Sequence, residues 1–287
     1  MRLLICTDGT ALAESAVGYG ASLAWAAGAE VTLLGIYRRR ASPEEEARLH
    51  AALARAQSLL PMHAEEKVRT GRAAQEIIAE ARSGSYALIV VGSRGRRGLA
   101  RLMFGSVASR LARYAPIPVL LVKGRGFEGV VRRVLVCTSG DVRGERAARW
   151  GGQIAGWLKA EVTVLHVMSQ IALSPQANLD ELFGSAEQAM THGTREGRHL
   201  TREMEVLREQ GGTVEIGVRP KLRRGLVVDE IVAEADEGNY YLVVIGAHEQ
   251  PQVPAAGWAG LWEYVLDDVA DQIISAVQRP VLVVKGK

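Results

Sequence analysis

Apolar residues along this chain fall in short unbroken runs rather than in alternation. Leu3-Leu-Ile5, Val31-Thr-Leu-Leu34, Leu88-Ile-Val-Val91 and Val119-Leu-Leu-Val122 are examples. Such near-continuous aliphatic runs predict strands of a parallel sheet covered on both faces. Between them, apolar positions recur at helical spacing over 11–27, 72–81 and 105–114, the last closed by Pro116. Ser42-Pro-Glu-Glu45 is a capping box with proline at the first helical position, and it opens a helix that runs to about residue 60. The same alternation resumes later, with helices predicted over 143–159 and 226–235. A longer polar segment, 177–210, predicts a helix interrupted at Gly184, Gly193 and Gly197.

The resumption is a repeat. Arg2-Leu-Leu-Ile-Cys-Thr-Asp-Gly9 returns as Arg133-Val-Leu-Val-Cys-Thr-Ser-Gly140, with five of eight positions identical. Ala29-Glu-Val-Thr-Leu-Leu-Gly-Ile36 is echoed by Ala160-Glu-Val-Thr-Val-Leu-His-Val167, and Tyr86-Ala-Leu-Ile-Val-Val-Gly92 by Tyr240-Tyr-Leu-Val-Val-Ile-Gly246. Pro118-Val-Leu-Leu-Val-Lys123 matches Pro280-Val-Leu-Val-Val-Lys285. The order is the same in both halves, which indicates a duplicated domain rather than a short-period solenoid. The expected fold is α/β: two tandem doubly wound parallel-sheet domains of five strands each, over 1–124 and 131–287. The glycine-rich stretch 124–129 is the expected linker.

Composition narrows the function classes. A hydrophobic content of 48% and a charged content of 23% exclude wholesale disorder. No apolar run approaches the roughly 18 residues a membrane span needs. The apolar stretch at the N-terminus ends at Asp8, too short for a secretory signal. Two cysteines make no disulfide framework, and no Cys/His spacing resembles a zinc site. A soluble, cytoplasmic protein without a membrane partner is expected. Charge is unevenly divided: residues 1–126 hold 18 Lys and Arg against 10 Asp and Glu, residues 127–287 hold 17 against 22. The basic first half suits an anionic ligand and attracts the second.

Ligands of doubly wound sheets sit beyond the carboxyl ends of the strands. There the first half carries Gly92-Ser-Arg-Gly95-Arg-Arg-Gly98-Leu-Ala-Arg-Leu-Met-Phe-Gly105-Ser106. Glycines at 92 and 95 permit a tight turn with exposed N–H groups, and Gly105-Ser106 opens a helix whose free N–H groups favour phosphate. Amides on one side and a helix N-terminus on the other make a polyphosphate cradle, with Arg94, Arg96, Arg97 and Arg101 adding positive charge. The same spacing also suits a glycine-rich surface loop with solvated arginines.

The spacing Gly-x2-Gly-x9-Gly-Ser, between an aliphatic strand and Ala115-Pro-Ile-Pro-Val-Leu-Leu-Val122, resembles the ATP-binding signature of the universal stress protein family. The resemblance extends over both halves, so the chain resembles a tandem member. It implies an adenine nucleotide, ATP, with any Mg²⁺ carried by the phosphates. Cys6, Thr7 and Asp8 would contact the nucleoside, Asp8 accepting from ribose hydroxyls, and the Ile36 backbone would meet adenine. Gly92, Arg94, Gly95, Gly105, Ser106 and Val107 would surround the phosphates. Gly35 stands where the family usually has histidine. Apart from the resemblance, Asp8 reads as the N-cap of the helix that follows it. Family dimers pair through the last strand, which would join 119–122 to 281–284 within one chain as a pseudo-dimer and leave other edges for a homodimer.

The second half departs from the pattern. Ser139 replaces Asp8, Glu249 replaces Gly95, and Asp267-Asp268 stand in place of Gly105-Ser106. Two carboxylates at a helix N-terminus repel phosphate, so no ATP binding is expected there. The insertion 249–262 would fold over the vestigial pocket, and its Trp258 and Trp262 suit ordinary core packing somewhat better than a partner patch. His166 reads as a packed strand residue, and His192 and His199 as solvated positions of one polar helix. Cys6 and Cys137 occupy equivalent strand ends. Arg38-Arg-Arg40, without interleaved aromatics, reads as a solvated loop rather than a nucleic-acid contact. Three functions are compatible: an ATP-binding stress-response regulator acting through an unidentified protein partner, a slow ATP hydrolase or phosphotransferase, and a nucleotide-independent scaffold. No catalytic base or metal-ligand constellation marks an enzyme.

Overall fold

The computed structural model describes residues 1–93, 106–124, 132–169, 185–212, 216–247 and 269–285. The first half runs β1 (Arg2–Cys6), α1 (Ala11–Ala27), β2 (Glu30–Tyr37), α2 (Pro43–Ser58), β3 (Glu65–Thr70), α3 (Ala73–Ser83), β4 (Leu88–Ser93), α4 (Ser106–Tyr114) and β5 (Val119–Lys123). The second runs β6 (Arg133–Thr138), α5 (Val142–Leu158), β7 (Glu161–Ser169), α6 (Ala186–Thr191), α7 (Arg195–Gln210), β8 (Val218–Gly225), α8 (Val227–Glu237), β9 (Leu242–Gly246), α9 (Val269–Ala276) and β10 (Val281–Val284).

The strands form one sheet in the order β3-β2-β1-β4-β5-β10-β9-β6-β7-β8. Every pairing is parallel except the central one, where β5 and β10 meet antiparallel with Leu120 opposite Leu282. The last strands therefore fuse two five-stranded parallel sheets back to back, with Leu120 and Leu282 on a pseudo-twofold axis. Side chains crossing this seam reinforce it. Lys123 donates from its ammonium to the carbonyls of Ile274 and Val277. Arg113 Nε donates to Asp271 Oδ2 at 2.8 Å.

Successive strand residues face opposite layers. Leu3 and Ile5 pack with helices α1, α2, α5 and α7, whereas Leu4 and Cys6 pack with α3, α4, α8 and α9. Burial on both faces explains why these strands are uniformly aliphatic. The outermost strands differ. β3 reads Glu65-Glu-Lys-Val-Arg-Thr70 and β8 reads Val218-Arg-Pro-Lys-Leu-Arg-Arg-Gly225, charged sequences suited to sheet edges.

Each edge strand is tied down by a buried carboxylate. Glu80, only 5% exposed, accepts from Lys67 Nζ at 3.0 Å, Arg69 Nη1 at 2.9 Å and Tyr86 Oη at 2.9 Å. The second half repeats the arrangement: Glu234 is 1% exposed and takes Lys221 at 2.5 Å, Arg223 at 2.8 Å and Tyr240 at 2.7 Å. Burial works against both carboxylates, but these donors more than offset it and hold both below the ordinary glutamate range.

The polar segment of the second half departs from expectation. Gly193 does separate α6 from α7, but Gly197 lies inside α7. A Cβ there would stand 2.0 Å from the Ala189 carbonyl oxygen, so glycine is required by the close packing of the two helices. Gly184 and most of the predicted segment before Ser185 lie outside the described residues, as do Trp258 and Trp262.

Replacing Glu80 with alanine leaves Arg69 on Glu76 and Lys67 beside Glu65 but takes the charged acceptor from the buried Tyr86 hydroxyl, and should cost roughly 2 kcal/mol in chemical denaturation. Because the folded-state pKa values of Glu80 and Glu234 are lowered, their contribution is present above the ordinary glutamate range and lost on acidification below it. A Glu80→Ala variant as stable as the parent would contradict this account.

Candidate functional site

The carboxyl end of β1 shapes the site. Thr7 is buried; its N–H donates to the Leu34 carbonyl at 3.0 Å and its Oγ1 accepts from the Gly9 N–H at 3.2 Å. Three residues on, Thr10 caps α1 by accepting from the Ala13 N–H at 3.3 Å. Thr10, not Asp8, is thus the N-cap, which corrects the capping expectation for the aspartate. Asp8 Oδ1 accepts instead from the Thr10 N–H at 3.0 Å and the Thr10 hydroxyl at 2.7 Å. Its Oδ2 accepts no hydrogen bond among the described residues. Asp8 is exposed and lines the cleft.

Six expected residues meet around one cleft of about 390 Å³: Cys6, Thr7, Asp8, Ile36, Gly92 and Val107. Ser106 is the first residue of α4. Arg94, Gly95 and Gly105 lie outside the described residues. Cys6 is a buried free thiol; burial pushes its pKa upward, so it serves as apolar wall. Ala73 and Ile77, from the start of α3, also line the cleft, although sequence reasoning did not place them there. Their position follows β3, whose charged sequence hides it as a strand. The alternating charges before Gly71 were the available signal.

Gly92 plays a part other than the expected tight turn. It lies within β4, and a Cβ there would come within 2.5 Å of the Leu12 carbonyl oxygen. Gly246 in β9 makes the same approach, at 2.4 Å from the Arg143 carbonyl oxygen. The glycine shared by the halves therefore lets the first turn of α1 or α5 cross the strand end.

The two halves can be superposed residue by residue. Glu14 pairs with Arg55 at 3.3 Å as Glu145 pairs with Arg202 at 3.1 Å, which makes α2 the counterpart of α7. Within that frame the second site is filled differently. A Cβ on Gly9 would lie 2.8 Å from the Ala52 Cβ, whereas one on Gly140 would lie 2.1 Å from the larger His199 at its Nδ1. In place of small Ala56 stands Glu203, 3% exposed, whose Oε1 accepts from Thr138 Oγ1 at 2.7 Å. Its Oε2 is buried without a hydrogen-bond partner among the described residues, and burial pushes its pKa up to about 7. Ser139 donates to Asp141, which caps α5 through the Arg143 and Gly144 N–H groups. Burial opposes the Asp141 charge, but these donors and the Arg143 guanidinium hold its pKa well below the carboxylate range.

The histidines are not on one solvated helix. His192 ends α6, while His199, in α7, meets His166 edge to face with ring centroids 6.2 Å apart. His166 is half-buried beside the Thr138 carbonyl at 3.2 Å, and burial lowers its pKa.

A fused pair of doubly wound α/β units with a cleft at the carboxyl ends of β1, β2 and β4 defines a tandem α/β ligand-site architecture. The chain belongs to the Universal stress protein family, whose family model matches residues 1–123 and 131–285. A universal stress protein of Methanocaldococcus jannaschii is 30% identical over 161 residues, 56% of this chain and 86% of that protein. The Bacillus subtilis universal stress protein YxiE is 40% identical over 62 residues, 22% of this chain and 42% of that protein. Among solved structures, a universal stress protein from Archaeoglobus fulgidus DSM 4304 matches with a TM-score of 0.66 at 19% identity, covering 100% of this chain and 98% of that one. A functionally unknown protein from Pseudomonas aeruginosa PAO1 matches with a TM-score of 0.63 at 19% identity, over 99% of this chain and 92% of that one. These structural likenesses establish the fold.

Two stability measurements separate packing from ligand chemistry. Gly92→Ala should destabilise the protein without ligand by about 1–3 kcal/mol, because the Leu12 backbone cannot retreat cheaply. Glu203 ionises at about 7 in the fold against an ordinary 4.5, so stability declines as pH rises through that interval. Glu203→Gln should therefore raise stability at about pH 8 by up to ~3 kcal/mol and leave it nearly unchanged at about pH 4. An equal effect at both pH values would contradict the burial of a neutral acid.

Proposed function

We propose that the first half binds an adenine nucleotide, ATP foremost, and that the protein acts in the stress response by presenting nucleotide-dependent surfaces to a protein partner. The observation that carries this reading is Asp8, held by Thr10 through one oxygen and open to the cleft through the other. A carboxylate in that position accepts from ribose hydroxyls. Ile36 and Val107 supply apolar surface beside it, and the α4 N-terminus at Ser106 offers free amides to phosphate. Any Mg²⁺ would be carried by the phosphates, as the family resemblance implies. The resemblance of 92–106 to the family's ATP-binding signature supports the phosphate end.

The second half is read as the nucleotide-free member of the pair. Ser139 lacks the carboxylate, and its hydroxyl is already committed to Asp141 at 2.6 Å. No described helix is long and apolar enough to cross a membrane.

The test is a comparison of ATP affinity between the parent chain and two equivalent variants. Asp8→Ala should weaken binding by about tenfold or more, the loss expected for hydrogen bonds to a charged acceptor. Ser139→Ala should leave it unchanged. Equal affinities for all three proteins would overturn the assignment of the nucleoside to the first half.

A further inference from the structure

A second and larger cleft, about 980 Å³, opens beside the first and shares Asp8, Ile36, Ala73 and Val107 with it. Five exposed arginines, Arg38, Arg39, Arg48, Arg72 and Arg110, are among the residues that line it, and Arg48 Nε also donates to the Glu44 carbonyl at 3.2 Å. Among the described lining residues the carboxylates are Asp8 and Glu45, and Glu45 is engaged by the Ser42 N–H of its own capping box at 3.0 Å. None of the five arginines forms an ion pair among the described residues. Elsewhere arginines such as Arg69, Arg113 and Arg223 sit on carboxylates. Like charges gathered in a concave wall repel one another and focus a positive field into the cleft.

The fold does not require this arrangement, and the second half demonstrates it. Lys67, Arg69, Glu76, Glu80 and Tyr86 are repeated one for one as Lys221, Arg223, Glu230, Glu234 and Tyr240. In the same frame Arg72 is matched by Leu226, 59% exposed, and Arg110 by Gln272. Of the arginines on defined elements, Arg48 has a basic counterpart, Arg195.

We propose that this cleft is an anion subsite for a second phosphate, so that the first half prefers nucleotides phosphorylated both on the 5′ chain and at the 2′ or 3′ position of the ribose. The inference rests on the nucleotide reading above. Asp8 has one oxygen left for a ribose hydroxyl, which leaves the neighbouring ribose position to carry phosphate. Asp8 lies where the two clefts join, and the arginines of the larger cleft outnumber it there. Arginine forks match phosphate oxygens bidentately.

The test titrates the full chain with AMP, ADP, adenosine 2′,5′-bisphosphate and adenosine 3′,5′-bisphosphate. At least one bisphosphate isomer should bind about tenfold tighter than AMP, as charge-assisted hydrogen bonds allow. The isomer that gains identifies which ribose position faces the arginines. Replacing Arg72 and Arg110 together with alanine should bring that isomer to within about threefold of AMP and leave ADP unaffected; the double lysine variant should restore most of the preference. If AMP and ADP bind but neither bisphosphate binds tighter than AMP, the second subsite is refuted and the nucleotide reading stands. An alanine variant that weakens ADP as much as the bisphosphate also refutes it. Failure of all four nucleotides to bind overturns both.

Discussion

The antiparallel pairing of β5 with β10 is the constraint on which the rest of the molecule depends. It places Leu120 opposite Leu282 and converts two parallel sheets into one, so each half sees the other through a pseudo-twofold axis. Lys123, reaching from β5 to the carbonyls at the end of α9, and Arg113 on Asp271 extend that seam into the helical layer. With the frame of the two halves held equal, chemical differences between them are not differences of fold. The molecule contains its own control.

Read through that control, the conserved and divergent features separate. The buried glutamate with its lysine, arginine and tyrosine occurs twice and anchors both edge strands, so it belongs to the architecture. The glycine at the end of β4 and β9 occurs twice and lets a helix cross the strand. Asp8 occurs once, and its counterpart Ser139 is turned to the cap residue Asp141. Above the second loop, His199 and the buried Glu203 fill space that Ala52 and Ala56 occupy in the first half.

Much of this was legible in the amino-acid order, and the remainder was hidden for definite reasons. Strands buried on both faces announce themselves as aliphatic runs, so β1, β2, β4, β5 and their repeats were plain, whereas the seam followed only from the family resemblance. β3 and β8 were not, because edge strands carry charge, and with them went the start of α3 and its share of the cleft. Asp8 reads as a cap when the resemblance is set aside, and only the geometry passes the cap to Thr10. Gly92 suggested a phosphate turn on spacing alone; the backbone of Leu12 supplies a packing reason no spacing reveals. Helix pairing likewise hid Gly197, which looked like a break and is a contact. Arg38 and Arg39 read as a solvated loop and are exposed, but that they line one cleft with Arg48, Arg72 and Arg110 is a property of the folded chain.

The central claim is that one half of a duplicated frame holds the ligand and the other does not. Calorimetric titration of the nucleotide-free chain with Mg-ATP measures this through its stoichiometry. The account predicts one site per chain. Two equivalent sites, or none, would contradict it.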